Sequence, residues 1–231
     1  MLLRLFALLL ISQLCGCAGT LSEGEFVIHA TARPTTFDIS QFRDQRTAVL
    51  PGVTSTAQQG YAPELTLALD RAIENSSHTI RYIPPHVTIS LLNQYDLAEP
   101  YIQTINNYRN AGILNKTALQ AMGKALNADY VLIPVLAGFS QQIESRVSQL
   151  ITLIRTHSTQ VNLALQLWNT RSGELVWQAA GQATWANETI GATPVAFVDV
   201  AHGLWSGILE DFFEGRTSSR YSPLGESVGL H

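Results

Sequence analysis

The chain has 231 residues, of which 46% are hydrophobic and 14% are charged. Its formal net charge at pH 7 is −4. This balance lacks the basic footprint of nucleic-acid-binding proteins, so no nucleic-acid partner is expected. The length suits one domain with a substantial hydrophobic core, or two small domains.

The amino-terminal segment has the pattern of a secretion signal. One cation, Arg4, precedes an almost unbroken apolar run from Leu5 to Leu14. The run is too short to cross a bilayer as a permanent helix, but it has the length of the apolar region of a signal peptide. We therefore expect residues 1–16 to be an address that is removed and takes no part in the fold.

The four residues Leu14-Cys15-Gly16-Cys17 follow this run and resemble the lipobox of bacterial lipoproteins. The resemblance implies that the Cys17 sulfur receives a diacylglyceryl group and that cleavage then makes Cys17 the first residue of the mature chain. The alternative is an ordinary signal peptide cut nearby, followed by a chance thiol. No aspartate follows Cys17 at the position that retains many lipoproteins in the inner membrane. We therefore predict a lipid-anchored, periplasm-facing protein of the outer membrane.

The lipobox also decides how the cysteines are used. The chain has two, of which Cys15 leaves with the predicted signal peptide and Cys17 is acylated. The mature chain then has no thiol for a disulfide, a catalytic nucleophile or a metal ligand. Its stability is expected to come from the hydrophobic core.

A single domain is predicted over residues 46–214, after a lipidated terminus and linker over 17–45 that adds at most one edge strand. The first half of the domain alternates strands and helices. Apolar runs stopped by proline predict buried strands, and apolar residues at helical spacing predict amphipathic helices. The predicted strands are 47–50, 80–83 and 129–136, and the predicted helices are 62–76, 86–94, 99–110 and 116–127, the last with Asn115 as its N-cap.

The second half of the domain changes from helical spacing to alternation. Apolar residues alternate with more polar ones over 161–168, and a glycine-containing turn at 169–173 leads to a second run from Leu175. This pattern predicts an antiparallel hairpin. A final amphipathic helix is predicted over 194–213, and residues 215–231 are predicted to be a disordered tail.

These elements predict the α/β class, with α+β as the alternative. The expected architecture is a mixed β-sheet flanked by helices, with a C-terminal antiparallel hairpin and a final amphipathic helix. Residues 141–155 fit this scheme in two ways, because Ile143, Val147 and Ile151 suit both helical spacing and alternation. The segment is either an amphipathic helix or an extended hairpin arm.

Four stretches carry a resemblance to known proteins, namely 47–51, 80–85, 123–132 and 169–177. They resemble the superfamily of envelope lipoproteins that includes the curli-secretion channel subunit, the lipoprotein activators of penicillin-binding proteins and the amino-terminal domain of TolB. Their order behind a lipobox, over about residues 46 to 213, carries the resemblance. It implies a helix-flanked mixed sheet and a function through protein contacts. In the channel-forming members, hairpins inserted in this fold cross the membrane, which gives residues 141–155 a third interpretation.

Motifs for catalysis are missing from the sequence. Gly203-Leu204-Trp205-Ser206-Gly207 places its serine one position late for a nucleophile elbow, and it lies in the final helix, where small residues favour close packing. No phosphate-binding loop and no dinucleotide-binding motif occurs. We therefore predict a non-enzymatic protein with no catalytic residues and no cofactor.

No metal site is predicted either. The acidic residues Glu210, Asp211 and Glu214, near the end of the final helix, are predicted to form a solvated face. No two histidines have the spacing that places a ligand pair on one helix face, so a metal site would have to be assembled across the fold. The six histidines are His29, His78, His86, His157, His202 and His231.

The lipobox, the superfamily pattern and the missing catalytic motifs together predict an accessory or assembly factor of an envelope complex. It would bind an envelope protein partner in cell-wall synthesis, transport or surface-structure assembly, and it would meet the membrane through the lipid on Cys17. The first alternative is a subunit of a homo-oligomeric secretion channel or ring in the outer membrane. The second is binding or catalysis in a cleft that the sequence does not reveal.

Overall fold

The computed structural model describes residues 21–147, 153–189 and 194–222. The predicted signal peptide, the lipidation site Cys17 and residues 223–231 of the predicted tail lie outside this part of the chain. Within it, the chain forms eight strands and six α-helices. The strands are β1 (Leu21–Ala30), β2 (Arg46–Val49), β3 (Val53–Thr54), β4 (Arg81–Ile83), β5 (Tyr130–Val147), β6 (Leu153–Asn169), β7 (Leu175–Thr189) and β8 (Ser218–Tyr221). The helices are α1 (Ile39–Asp44), α2 (Ala62–Glu74), α3 (Pro85–Gln94), α4 (Ala98–Ala111), α5 (Lys116–Leu126) and α6 (Phe197–Glu214).

All eight strands belong to one mixed sheet. The order is β4-β2-β5-β6-β7-β1-β8, and the short β3 pairs with β5 beyond the end of β2. β2 runs parallel to both β4 and β5, with helices in the crossovers, whereas every pairing from β5 to β8 is antiparallel. The predicted mixed sheet with flanking helices, the hairpin of β6 and β7 and the final helix α6 are thus confirmed.

Helices α1, α2 and α6 cover one face of the sheet, which we call the first face. The side chains of Val161, Leu163, Leu165 and Leu167 on β6 lie on this face and are at most 1% exposed. Their alternation along β6 is the pattern that predicted the hairpin. Burying one large apolar side chain stabilises the fold by about 1.5–3 kcal/mol, so this face supplies much of the hydrophobic stabilisation.

Helices α3, α4 and α5 cover only part of the opposite face, which we call the second face. Beneath them, Ala48 of β2, Ile83 of β4 and Val131 of β5 are at most 1% exposed. The helices reach as far as β6, where the Tyr108 hydroxyl donates a hydrogen bond to Oε1 of Gln166 at 2.9 Å. The second face of β7 and β1 therefore carries no helix among the described residues.

Local chemistry sets several element ends as predicted. The Asn115 side chain accepts a hydrogen bond from the Ala118 N–H at 3.1 Å and caps α5. Pro85 lies in the first turn of α3, where its missing N–H costs no helical hydrogen bond. In the turn between β6 and β7, Gly173 has a φ of 76°, in the left-handed region where a side chain would be strained.

Two glycines of α6 allow the helix to pack closely on β1. A Cβ atom at Gly203 would lie 2.7 Å from the Phe26 ring, and one at Gly207 would lie 2.9 Å from Cδ1 of Ile28. These positions are one turn apart, so they form a flat strip on the helix. The prediction that small residues in this segment favour close packing is confirmed.

The segment predicted as a linker contains β1 and α1 within residues 21–45, and the one strand allowed there is an inner strand of the sheet, not an edge strand. β1 lies between β7 and β8, and Phe26 and Ile28 are 4% and 0% exposed. In α1, Phe42 packs edge-on against Phe212 at 5.1 Å between ring centroids. β1 has few apolar residues, and its partner strands come from the other end of the chain. A local pattern therefore could not reveal their pairing.

The predicted disordered tail also begins too early, since β8 pairs with β1 over residues 218–221. Residues 141–147 and 153–155 belong to β5 and β6, which pair continuously up to Val147 and Leu153. The hairpin arm is thus the correct interpretation for these residues, and the helix is wrong. The remainder, 148–152, lies outside the described residues. Among the described helices, none combines the length and the apolar character needed to cross a membrane.

Replacing Ile28 with alanine tests whether β1 belongs to the core. Its fully buried side chain packs on α6, so the substitution should lower the free energy of unfolding by about 2–5 kcal/mol. Val27→Ala is the matched control, because Val27 is half-buried and lies on the second face, and its effect should be much smaller. Urea unfolding followed by circular dichroism measures both. Equal small effects would show that β1 contributes nothing to the core.

Candidate functional site

The predicted lipidation site lies four residues before the described fold. Cys17 itself is outside the described residues, and β1 begins at Leu21. The chain therefore passes from the predicted anchor almost directly into an inner strand of the sheet. Only three residues, 18–20, separate Cys17 from β1, although the sequence predicts a linker over 17–45.

The acidic cluster at the end of α6 is not the solvated face that the sequence predicts, because Asp211 is 1% exposed. Nε of Arg216 donates a hydrogen bond to Oδ1 of Asp211 at 2.8 Å, and the hydroxyls of Ser219 and Tyr221 donate to the same carboxylate. Arg216 Nη2 also donates to the Tyr221 hydroxyl at 2.8 Å. Three donors compensate the desolvated carboxylate, and they attach β8 to the end of α6.

This network alters the titration of Tyr221. Burial raises the pKa of Tyr221 from its ordinary value of 10.0 to about 12, and the hydrogen bond to Asp211 and the negative charge of Asp211 add to this rise. The phenol must keep its proton to donate to Asp211. Protonated Tyr221 is therefore part of what holds β8 in place.

His78, Glu210 and Glu214 bring three possible metal ligands within 4.8 Å of one another. Arg43 Nη2 lies 3.3 Å from Nδ1 of His78; since guanidinium only donates, Nδ1 accepts and the neutral ring carries its proton on Nε2. That nitrogen lies 3.6 Å from Oε2 of Glu210, and the ring stacks on Phe213 at 4.4 Å. Nε2 of His78 is buried and has no hydrogen-bond partner among the described residues, so the three side chains form a group that could hold a metal ion.

The serine of the Gly203–Gly207 segment is tied to the helix backbone. The Ser206 hydroxyl donates to the carbonyl oxygen of His202 at 2.9 Å, one turn earlier in α6. The His202 ring instead lies 3.4 Å from the Asn75 side-chain amide. Ser206 and His202 therefore do not form a nucleophile and base pair.

The other histidines are spread over separate elements. His29 lies on β1, 3.4 Å from a serine hydroxyl of β8, and His86 lies in α3. His157 on β6 is 6% exposed, and its ring nitrogens have no hydrogen-bond partner among the described residues. His231 lies outside those residues. Within the described ranges, no two histidines are brought together with a third ligand.

An uncharged groove lies between α3 and α4, beside Pro51. Ile89 and Ile102 line it and are each 50% exposed, and its volume is about 420 Å³. Tyr101 also lines it, and burial raises the pKa of this phenol against the opposing charge of Arg109, so the side chain stays neutral. The remaining lining residues are Ser90, Leu92, Asn93 and Ala98, so no charged side chain borders the groove.

The sequence analysis predicted helices over 86–94 and 99–110 but did not predict this groove between them. In α3 the structure buries Thr88 and Leu92. In α4 it buries Thr104, Ile105 and Tyr108. The isoleucines lie at the margins of those faces. Helical spacing on a short helix fits several rotations equally well, so the outward turn of Ile89 had no local signal.

A second surface is formed by the uncovered second face of β6, β7 and β1, which we call the open face. Gln182 and Thr184 on β7 are exposed, while Ala183 between them is fully buried on the first face. At the margin, Glu25 and Arg220 form an ion pair at 3.0 Å. Gln182 and Thr184 give this part of the open face a polar and uncharged surface.

Comparison with known proteins shows no family model and no curated protein that matches the chain. Among solved structures, the PelC dodecamer from Paraburkholderia phytofirmans is 15% identical, with a TM-score of 0.46 over 80% of this chain and 94% of that chain. Lipoprotein GNA1162 from Neisseria meningitidis is 12% identical, with a TM-score of 0.38 over 74% and 96%. The LpoB C-terminal domain from Salmonella enterica is 16% identical, with a TM-score of 0.36 over 60% and 81%.

Tyr221→Phe tests the role of the Asp211 network. The variant loses a hydrogen bond to a charged group, so its free energy of unfolding near neutral pH should fall by about 1.5–3 kcal/mol. Tyr95→Phe, at a tyrosine that is 54% exposed, is the control and should have little effect. Chemical unfolding followed by fluorescence gives both values.

The same variant predicts a pH dependence. The unfolded chain releases the Tyr221 proton at the ordinary pKa of 10.0, whereas the folded chain holds it up to about 12. The stabilisation is therefore complete below pH 10 and is lost as the pH rises to 12. Between pH 9 and 11 the wild type should lose more stability than Tyr221→Phe, and equal losses would contradict the assignment.

Proposed function

We propose that this chain is a lipid-anchored, non-enzymatic protein on the periplasmic side of the outer membrane, and that it serves as an accessory or assembly factor of an envelope complex. The envelope location is supported by the lipobox and by the missing inner-membrane retention signal. The complex would belong to cell-wall synthesis, transport or surface-structure assembly. The protein would act by binding a partner through the groove between α3 and α4.

The observation that carries the proposal is the pair of half-exposed isoleucines at an uncharged groove. Covering the exposed halves of Ile89 and Ile102 would contribute about 1 kcal/mol each, from the usual value for burying a large aliphatic side chain. Apolar side chains gathered at one concave site are typical of interaction surfaces rather than of ordinary protein surface. The groove therefore offers a partner exposed apolar surface at a concave site.

The chemistry of the groove also defines the partner. A charged group placed there would lose its water and find no counter-ion, because no charged side chain lines the site. The Tyr101 phenol and the neighbouring serine and asparagine would accept polar backbone atoms. We therefore expect an uncharged, apolar segment of an envelope protein to occupy the groove.

A non-enzymatic role is supported by the absence of catalytic motifs from the sequence. It is also supported by the Ser206 hydroxyl, which is bound to a backbone carbonyl instead of to a base. The alternative, a homo-oligomeric channel or ring, predicts a different neighbour at the same surfaces, namely a second copy of this chain.

The anchor is tested by Cys17→Ala. The variant should lose incorporation of labelled palmitate and should leave the membrane fraction, because the acyl chains supply the membrane affinity. Labelling of cells followed by membrane fractionation measures both properties. A variant that stays lipid-labelled and membrane-bound would overturn the lipoprotein assignment.

The groove is tested by cross-linking in living cells, with a photoreactive amino acid at position 102. Ile113 is the matched control, since it is also an isoleucine, is 66% exposed and lies outside the groove. Position 102 should give a defined cross-link to an envelope protein, and position 113 should not. Ile89→Asp should abolish that cross-link with only a small drop in melting temperature, because Ile89 is half exposed.

Three outcomes of this experiment differ in meaning. A cross-link at position 102 that Ile89→Asp removes supports the groove as the binding site. Cross-links from positions 102 and 113 alike, or a cross-link that survives Ile89→Asp, would contradict it. A cross-link to a second copy of the chain would favour the channel or ring subunit instead.

A further inference from the structure

We propose that one end of the sheet rests on the lipid bilayer and sets the orientation of the whole body. We call it the arm end; it is where β1 begins at Leu21, β5 ends at Val147, β6 begins at Leu153 and β7 ends at Thr189. The occupant of this surface is the interface of the membrane that holds the lipid on Cys17. The inference rests on the proposed lipidation of Cys17.

The tether is too short to let the body move away. Leu21 follows Cys17 by four residues, and a fully extended chain spans at most about 3.6 Å per residue, so the two lie within about 14 Å. β1 cannot swing out to lengthen the tether, because it pairs with β7 along its whole length and with β8 from Phe26 to His29. The first residue of β1 is therefore held near the membrane surface.

The strand pairing brings the other strand ends to the same place. Leu21 lies opposite Glu188, Arg155 lies opposite Thr189, and Val147 lies opposite Leu153. The opposite end of the sheet is marked by the turn between β6 and β7. From Arg155 to Asn169 along β6, the distance is about 45 Å at the usual strand rise. A tether of about 14 Å therefore places the arm end at the membrane and keeps the β6–β7 turn away from it.

The side chains near the arm end differ between the two faces. On the first face, Ile143 is 62% exposed and Arg155 is exposed. On the second face, Glu144 is exposed, and Glu25 is paired with Arg220. Apolar and cationic side chains suit the acyl boundary and the phosphates, whereas carboxylates favour water. The exposed Ile143 and Arg155 therefore suit contact with the bilayer interface at the arm end.

The orientation is measured with the lipidated full-length protein in vesicles of phosphatidylethanolamine and phosphatidylglycerol that contain a nitroxide-labelled lipid. Since both natural cysteines are removed or acylated, a cysteine introduced by Ile143→Cys is the single free thiol for a fluorophore. Leu175→Cys is the matched control, because Leu175 is an exposed leucine beside the β6–β7 turn, paired in register with Trp168.

Lipid nitroxides should quench the fluorophore at position 143 several-fold more than the one at position 175, and aqueous iodide should show the reverse order. Both replaced side chains are exposed, so the variants should fold as the wild type does, which circular dichroism verifies. Equal quenching by the lipid, or stronger quenching at position 175, would overturn the proposed orientation.

Two further measurements distinguish a failure of the proposed lipidation from a failure of the proposed orientation. Labelled palmitate on the same samples reports lipidation: its absence overturns the anchor, whereas normal lipidation with equal quenching overturns the orientation alone. Inserting about 20 glycine and serine residues after Gly19 adds a flexible tether of about 25 Å. Quenching at position 143 should then fall while lipidation persists, and unchanged quenching would contradict the tether argument.

Discussion

Close contact between α6 and β1 determines how the two ends of the chain are joined. Gly203 and Gly207 present no side chain to the strand, so the Phe26 ring and the Ile28 side chain pack directly on the helix surface. In the last turn of the same helix, the Asp211 carboxylate binds three donors and fixes β8 along the outer edge of β1. A strand of modest apolar content is thereby held by a helix and by two neighbouring strands. Without α6, the few apolar side chains of β1 would not be enough to hold the strand in the sheet.

The parts of the fold that the sequence predicted are those whose signal is local. Leucines and a valine alternate along β6, Asn115 caps α5, and a glycine occupies the left-handed position in the turn before β7. Each of these features depends on a few adjacent residues and on the periodicity of one element. For such elements, patterning and local chemistry are sufficient.

The features that the sequence did not predict depend on contacts between distant residues. β1 was assigned to a linker because its partners, β7 and β8, come from the far end of the chain. Asp211 was assigned to a solvated face because its donors lie on the segment after α6, and the cluster of His78 with Glu210 joins a loop to that helix. The groove is similar, since only the packing of α3 and α4 turned Ile89 and Ile102 outward. The spacing of apolar residues within one element does not indicate such contacts between distant residues.

With the proposed lipid anchor on Cys17, the sheet and the groove would define how far the protein reaches from the membrane. Val53, just after Pro51 at the groove, pairs with Val135 of β5, and β5 continues from there to Val147 at the arm end. At the usual strand rise this distance is about 40 Å. A partner in the groove would thus be met well beyond the lipid headgroups, at a height set by the length of the strands.

The position of β1 also has a mechanical consequence. Lipid attached four residues before Leu21 would pull β1 along its own axis, and the strand is flanked on both sides by antiparallel neighbours. Such a load acts in shear, so the backbone pairs with β7 and β8 resist it together. They would not be peeled apart one after another from a free end. The segment that the sequence assigns to a flexible linker would then be the part of the molecule that transmits force between the membrane and any complex the protein holds.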